Sequence, residues 1–164
     1  LTAAKAAAEA GVAWVALHAR YASQLYDGQA DWKAIAKLVE YLEPIGVPVL
    51  GNGDIWSGAD GVRMMNETGC AGVVVGRGCL GRPWLFKDLV NAFNGEHSKV
   101  TPSLFEVREI MRRHAVLLME FFEQEGRAMR DLRKHMAWYL KGFRVNRELR
   151  ARFGMVASFG ELDY

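Results

Sequence analysis

The residues most able to do chemistry fall in three short stretches: His18-Ala-Arg20, Gly51-Asn-Gly-Asp54 and Gly76-Arg-Gly78. Glycine matters in the last two, because backbone N–H groups approach phosphate oxygens closely only where no Cβ intervenes. A helix start just downstream would add the positive end of its dipole. Arg77 would add a charge-assisted contact to the same anion. His18, beside Arg20, is a candidate ligand-side histidine, although a histidine in such a place also serves in packing. For either glycine loop alone, a tight turn with no ligand stays an open alternative. Two such loops in series favour a phosphate.

Each stretch ends or follows an apolar run of the kind that buried parallel strands show: residues 12–17, 47–50 and 72–76. Helical segments alternate with these runs. Residues 2–10 are Ala-rich and stop at Gly11, and Asp31 is an N-cap candidate ahead of Ile35, Leu38, Val39 and Leu42. A third helix has Val62, Met64 and Met65 on its buried side and ends at Gly69, and a fourth is expected over 80–93. Strand then helix, three times over, predicts parallel βα units.

Strand starts 35 and 25 residues apart suit (β/α) barrel repeats, yet a closed barrel needs eight strands in about 250 residues. The expected fold is therefore α/β: the C-terminal part of a (β/α)8 TIM barrel over residues 1–98, then a small all-helical domain over 99–164. An opening without Met, in what reads as mid-helix, agrees with a chain that lacks the first half of such a barrel. A small open three-stranded sheet is the competing reading. Either arrangement leaves strand edges through which the chain could self-associate.

From Thr101 onward the pattern is helical only. Ser103 and Glu106 have the spacing of a capping box. Leu104, Val107, Ile110/Met111, His114/Ala115, Leu118 and Phe121/Phe122 form a stripe at helical spacing, with Gly126 expected to break it. A second helix would bury Leu132, Met136, Tyr139 and Leu140 and end at Gly142, leaving residues 143–164 as short helices or loop. Residues 94–102 are expected to form the hinge.

Charge divides along the same line. Residues 1–95 carry eight basic and nine acidic side chains, whereas 96–164 carry thirteen and ten. Within 127–153 nine basic residues face only Asp131 and Glu148, which favours a polyanionic partner. Arg127, Arg130, Lys134 and Lys141 are spaced by three, four and seven residues, so a continuous helix would place them on one face. Such a face can follow a phosphate backbone, although a solvated surface is the plainer alternative.

The overall balance, 51% hydrophobic and 24% charged, excludes collagen-like and disordered classes. No apolar run approaches the ~20 residues that span a bilayer, and no membrane partner is expected. Cys70 and Cys79, the only cysteines, form no disulfide framework and have no nearby His or Cys ligands for a metal. Both are read as packing residues in a reducing, cytoplasmic setting.

Six segments, in order, resemble the bacterial tRNA-dihydrouridine synthases of the B-type, nitrogen-regulation-like branch. They are His18-Ala-Arg20, Tyr26-Asp-Gly-Gln-Ala-Asp-Trp32, Gly51-Asn-Gly-Asp-Ile55, Gly69-Cys-Ala-Gly-Val-Val-Val-Gly-Arg-Gly78, Gly81-Arg-Pro-Trp-Leu-Phe86 and Arg133-Lys-His-Met-Ala-Trp-Tyr-Leu-Lys-Gly142. The likeness covers nearly the whole chain. It implies an FMN-binding (β/α) barrel followed by a helical tRNA-binding domain. It also implies an oxidoreductase acting on a CH–CH group, which reduces a tRNA uridine to 5,6-dihydrouridine with NADPH through FMN. The target base would have to leave its stack.

By position, the resemblance makes Asn52, Gly53, Asp54, Gly76 and Arg77 contacts of the FMN phosphate. It places His18 by the flavin, and Arg127, Arg130, Lys134 and Lys141 on tRNA. It also implies that the acid cysteine and the flavin-contacting lysine lie in earlier barrel loops. Neither cysteine here matches that acid, so this chain by itself is expected to be inactive. Ala19 and Tyr21 stand where the family usually has Gly and Thr. Two other readings are a non-catalytic RNA-binding module on a half-barrel scaffold and a barrel enzyme acting on a small phosphorylated metabolite. The basic helical segment argues against the second.

Overall fold

Alanine-rich residues near the start favour helix, and α1 spans Thr2–Glu9. The next apolar run forms a strand only in part: β1 is Val15–His18, while Val12 and Trp14 stay exposed. The reason lies in its partner. Pro48 has no N–H to give a ladder, so the neighbouring strand β2 begins at Val49 and runs Val49–Asn52. Register pairs Val15 with Val49 and His18 with Asn52. Both strands thus sit further along the chain than their apolar runs suggest, and that shift carries His18 and Asn52 into the last pair of the ladder. The third strand, β3, is Gly72–Val74, with Asn52 opposite Val74. The computed structural model describes residues 1–24 and 27–163. Leu25 and Tyr26, the latter opening one of the motifs above, and Tyr164 lie outside the described residues.

Helices alternate with these strands. α2, Trp32–Leu42, starts where the Asp31 side chain accepts the Lys33 N–H at 3.1 Å, and buries Ile35, Leu38 and Leu42. α3, Gly58–Thr68, is capped by Ser57 and buries Met64. α4 is Leu85–Phe93. The helix expected from residue 80 begins five residues later, because Pro83 disfavours helical backbone in the residue before it and Gly81 has φ 64°. The strands form one parallel sheet in the order β1-β2-β3, and its core combines Val49, Ile35, Leu42, Met64, Cys70 and Leu85. Parallel pairing aligns all three strand C-termini at one end.

The chain divides into two units, residues 1–79 with 84–99, and 80–83 with 100–164. The described residues of the second unit are helical or irregular. α5, Leu104–Phe122, opens with a full capping box: Ser103 Oγ accepts the Glu106 N–H at 3.2 Å, and Glu106 accepts the Ser103 N–H at 2.7 Å. It ends at Glu123, whose φ of 53° turns the chain. The break therefore precedes Gly126, which lies inside α6, Glu125–Tyr139. α7, Arg147–Met155, is capped by Asn146, and a 3-10 turn covers Phe159–Asp163. Val107, Met111 and Ala115 on α5 are buried, as are Met129, Leu132 and Met136 on α6; Phe121, at the far end of the expected stripe, is exposed. Among the described residues, no helix is long and apolar enough to cross a membrane.

Candidate functional site

At the C-terminal end of the sheet lies a cleft of about 280 Å³ lined by residues from all three strand ends. His18, Asn52, Gly53, Asp54, Gly76 and Arg77 all border it, together with Trp56 and Gly78. The loop after β2 is tied on several sides. Asn52 Nδ2 donates to the Val74 carbonyl at 2.6 Å, bridging to β3. The Trp32 indole N–H, from α2, donates to the Gly53 carbonyl at 3.1 Å. Asp54, in the left-handed region at φ 55°, accepts the Ala30 N–H and an Arg20 N–H, each at 2.6 Å.

Two glycines here are required by space. A Cβ on Gly53, where φ is 132°, would fall 2.6 Å from that of Ala30. A Cβ on Gly78 would collide with the Ile55 carbonyl, where the two loops touch. Gly76 is different: nothing lies within 4 Å of where its Cβ would be, so its backbone borders open space. Among the described residues, the N–H groups of Gly53, Ile55 and Gly76 find no acceptor. Available N–H donors along one cleft are a feature of anion sites.

Charge in the cleft is arranged to the same effect. Burial alone would raise the Asp54 pKa, but the Ala30 N–H and the Arg20 guanidinium outweigh it and Arg77 adds to them, leaving the carboxyl below its ordinary value. Asp54 is therefore an anion already matched by Arg20. The Arg77 guanidinium lies 5.8 Å from the centre of the Trp56 ring, a cation–π arrangement at the rim. Sequence reasoning noted Arg20 only as a neighbour of His18 and did not find Trp32. A Trp directly after a helix N-cap and an Arg two residues past a strand-end His were the available signals.

The four basic residues expected on one helical face fare differently. Arg127 and Arg130 are exposed on α6, and the Arg127 guanidinium stacks 4.6 Å from the centre of the Phe122 ring. Lys134 is ion-paired with Asp131, one turn earlier on the same helix. Lys141 lies beyond the end of α6 at Tyr139, so it does not belong to that face. Arg150 folds back to donate to the Phe143 carbonyl at 2.8 Å and the Val145 carbonyl at 3.2 Å. Arg133 donates to the Val156 carbonyl at 2.7 Å. Several of the nine basic residues thus hold the fold together. No three His, Cys, Asp or Glu side chains among the described residues come together as a metal site.

Parallel βα units with a glycine-lined cleft at the strand C-termini define an α/β protein, an arrangement consistent with part of a (β/α) barrel, whose sites sit at that end. Within that class the chain belongs to the dihydrouridine synthase (Dus) family, which it matches over residues 1–162. It is 53% identical over 163 residues to a probable tRNA-dihydrouridine synthase of Mycobacterium tuberculosis, covering 99% of this chain and 41% of that protein. A Mycobacterium leprae protein of the same description is also 53% identical, with 99% of this chain and 42% of the relative covered. The tRNA-dihydrouridine synthase B of Pseudomonas aeruginosa is 36% identical over 154 residues, covering 93% of this chain and 45% of the relative. The chain thus spans less than half the length of these relatives.

Proposed function

We propose that this chain carries the FMN-phosphate site and a tRNA-binding surface of a tRNA-dihydrouridine synthase. The observation that supports this most is the convergence of His18, Asn52, Gly53, Gly76 and Arg77 on one cleft with unpaired N–H donors. The residues fit the phosphate of FMN: the space beside Gly76 that a Cβ would fill is open, and Arg77 supplies positive charge. When bound, FMN would supply the hydride, replenished from NADPH, and with a proton from an acid not assigned to this chain a tRNA uridine would become 5,6-dihydrouridine.

This chain's own residues bind and orient. The N–H groups of Gly53, Ile55 and Gly76 would donate to phosphate oxygens, and Arg77 would balance their charge. Asn52 braces the β2 loop against β3, and His18 borders the flavin side of the cleft. Asp54 contributes through its backbone, since its carboxylate is engaged by Arg20 and Ala30. Neither Cys70, which is buried, nor Cys79, whose thiol donates to the Gly76 carbonyl at 3.1 Å, is assigned as the acid. The working division is a cofactor-phosphate part over residues 1–98 and a tRNA-binding helical part over 99–164. Arg127 and Arg130 are its principal phosphate contacts, with Lys134 and Lys141 secondary.

Two measurements test the reading. Titration of FMN into the chain, followed by quenching of flavin fluorescence, should saturate, and Arg77→Ala should weaken it. Replacing the matching 163 residues of the M. tuberculosis relative with this chain should leave dihydrouridine formation on unmodified tRNA measurable. Binding of tRNA with neither FMN uptake nor product from the chimera would favour an RNA-binding module instead.

A further inference from the structure

Arg20 is the least expected member of the site. Its side chain is only 5% exposed, yet it carries a full charge. Nη1 donates to the Asp27 carbonyl at 2.7 Å, and Nη2 donates to the Gly28 carbonyl at 2.8 Å and to Asp54 at 2.6 Å. Nε, buried as well, has no hydrogen-bond partner. One guanidinium therefore clamps the segment after β1 to the loop after β2. Its partner Asp54 has left-handed backbone, which is uncommon outside glycine but which aspartate tolerates better than most residues. Asp54 stands between Gly53 and Ile55, whose N–H groups are among the available donors.

We propose that Arg20 and Asp54 act as a positioning pair, fixing the loop backbone so that the Gly53 and Ile55 N–H groups are aimed before a phosphate arrives. The inference rests on the FMN-phosphate reading above. Pre-setting donors removes an ordering cost that binding would otherwise carry. The pair has a second effect. An ionised carboxylate beside a phosphate repels it, and the Arg20 charge cancels that repulsion while leaving Arg77 effective. The lowered Asp54 pKa agrees with a carboxylate kept ionised and engaged. Neither side chain needs to touch the ligand.

The test compares FMN with riboflavin, which lacks the phosphate, by fluorescence titration of the whole chain and its variants. The unmodified chain should bind FMN at least about tenfold more tightly than riboflavin; equal binding would sink the phosphate reading itself, whatever the variants do. Given that preference, Arg20→Gln and Asp54→Asn should each weaken FMN by about tenfold or more, with riboflavin changed less than about threefold. The double variant should be no weaker than the worse single, as expected of a coupled pair. Arg20→Lys keeps the buried charge but loses the forked geometry, so it should fold and still weaken FMN by about threefold or more. Circular dichroism melting accompanies each variant. A lowered melting point with the FMN-to-riboflavin preference intact would overturn the proposal, as would parallel loss of both ligands in a folded Arg20→Lys chain.

Discussion

The strand-end cleft and the basic helices differ in what holds their polar groups. In the cleft, hydrogen bonds from side chains tie separate segments together: Asn52 to Val74, Trp32 to Gly53, and Arg20 to Asp27, Gly28 and Asp54. On the helices, long side chains find individual partners: Arg127 a ring, Lys134 a neighbouring carboxylate, Arg150 two carbonyls. The first arrangement is made by register and backbone, so one displaced atom is felt throughout it. The second is made by flexible stems, so charge can be rearranged at small cost. A built cavity and a charged surface should therefore respond to substitution on different scales.

The largest expected effect is at the contact between the two glycine loops. Gly78→Ala places a methyl group against the Ile55 carbonyl and should destabilise the chain by about 3 kcal/mol, read by urea unfolding. A wild-type midpoint would mean that the loops move apart freely and that the cleft is no more rigid than the helical surface. Next comes Arg77→Ala. Losing a charge-assisted contact of about 1.5–3 kcal/mol should weaken FMN by about 10- to 100-fold, without a comparable loss of stability.

The helical surface should show smaller steps. Arg130→Ala should lower the salt dependence of tRNA binding by about one counterion, since each phosphate contact contributes a slope near 0.7–0.9. Lys134→Ala should lower it less, because Asp131 already offsets that charge. Equal slopes for the two variants would erase the distinction between committed and available charges. The smallest effect is a pH dependence. Burial, with the His135 charge second, lowers the His114 pKa against an opposing pull from Asp131; burial likewise lowers that of His135. The unfolded chain then binds more protons than the folded one just below the ordinary histidine value. Stability should therefore rise with pH through that window and fall on acidification from 7 toward 5. His114→Gln should flatten the trend in thermal melts.

These contrasts also explain how much could be foreseen. The βα alternation, the Asp31 cap and the Ser103–Glu106 capping box were legible because each depends on residues near in sequence. The cleft lining was legible because parallel pairing brings successive strand ends together, whatever the exact strand limits. What escaped depended on geometry that spacing does not carry. Pro48 moved both strand limits along the chain, and a left-handed Glu123 ended α5 where Gly126 looked the better breaker. Lys141 had the right period for the α6 face, but periodicity holds only while the helix lasts. Arg20 and Asp54, 34 residues apart, meet only because β1 and β2 are neighbours.

One feature of the helical unit bears on how it is made. Leu162, 1% exposed, is part of its interior, while Asp163 is held by Arg108 at 3.0 Å and by Arg112. The Phe159 N–H is held by Glu125 at 2.7 Å. During synthesis α5 leaves the ribosome some fifty residues before these partners do. Until residue 163 follows, Arg108 and Arg112 on α5 lack the Asp163 carboxylate that they hold in the finished fold. The helical unit is therefore closed only once residue 163 has been made, whereas the contacts of the sheet can form as soon as residue 99 is clear.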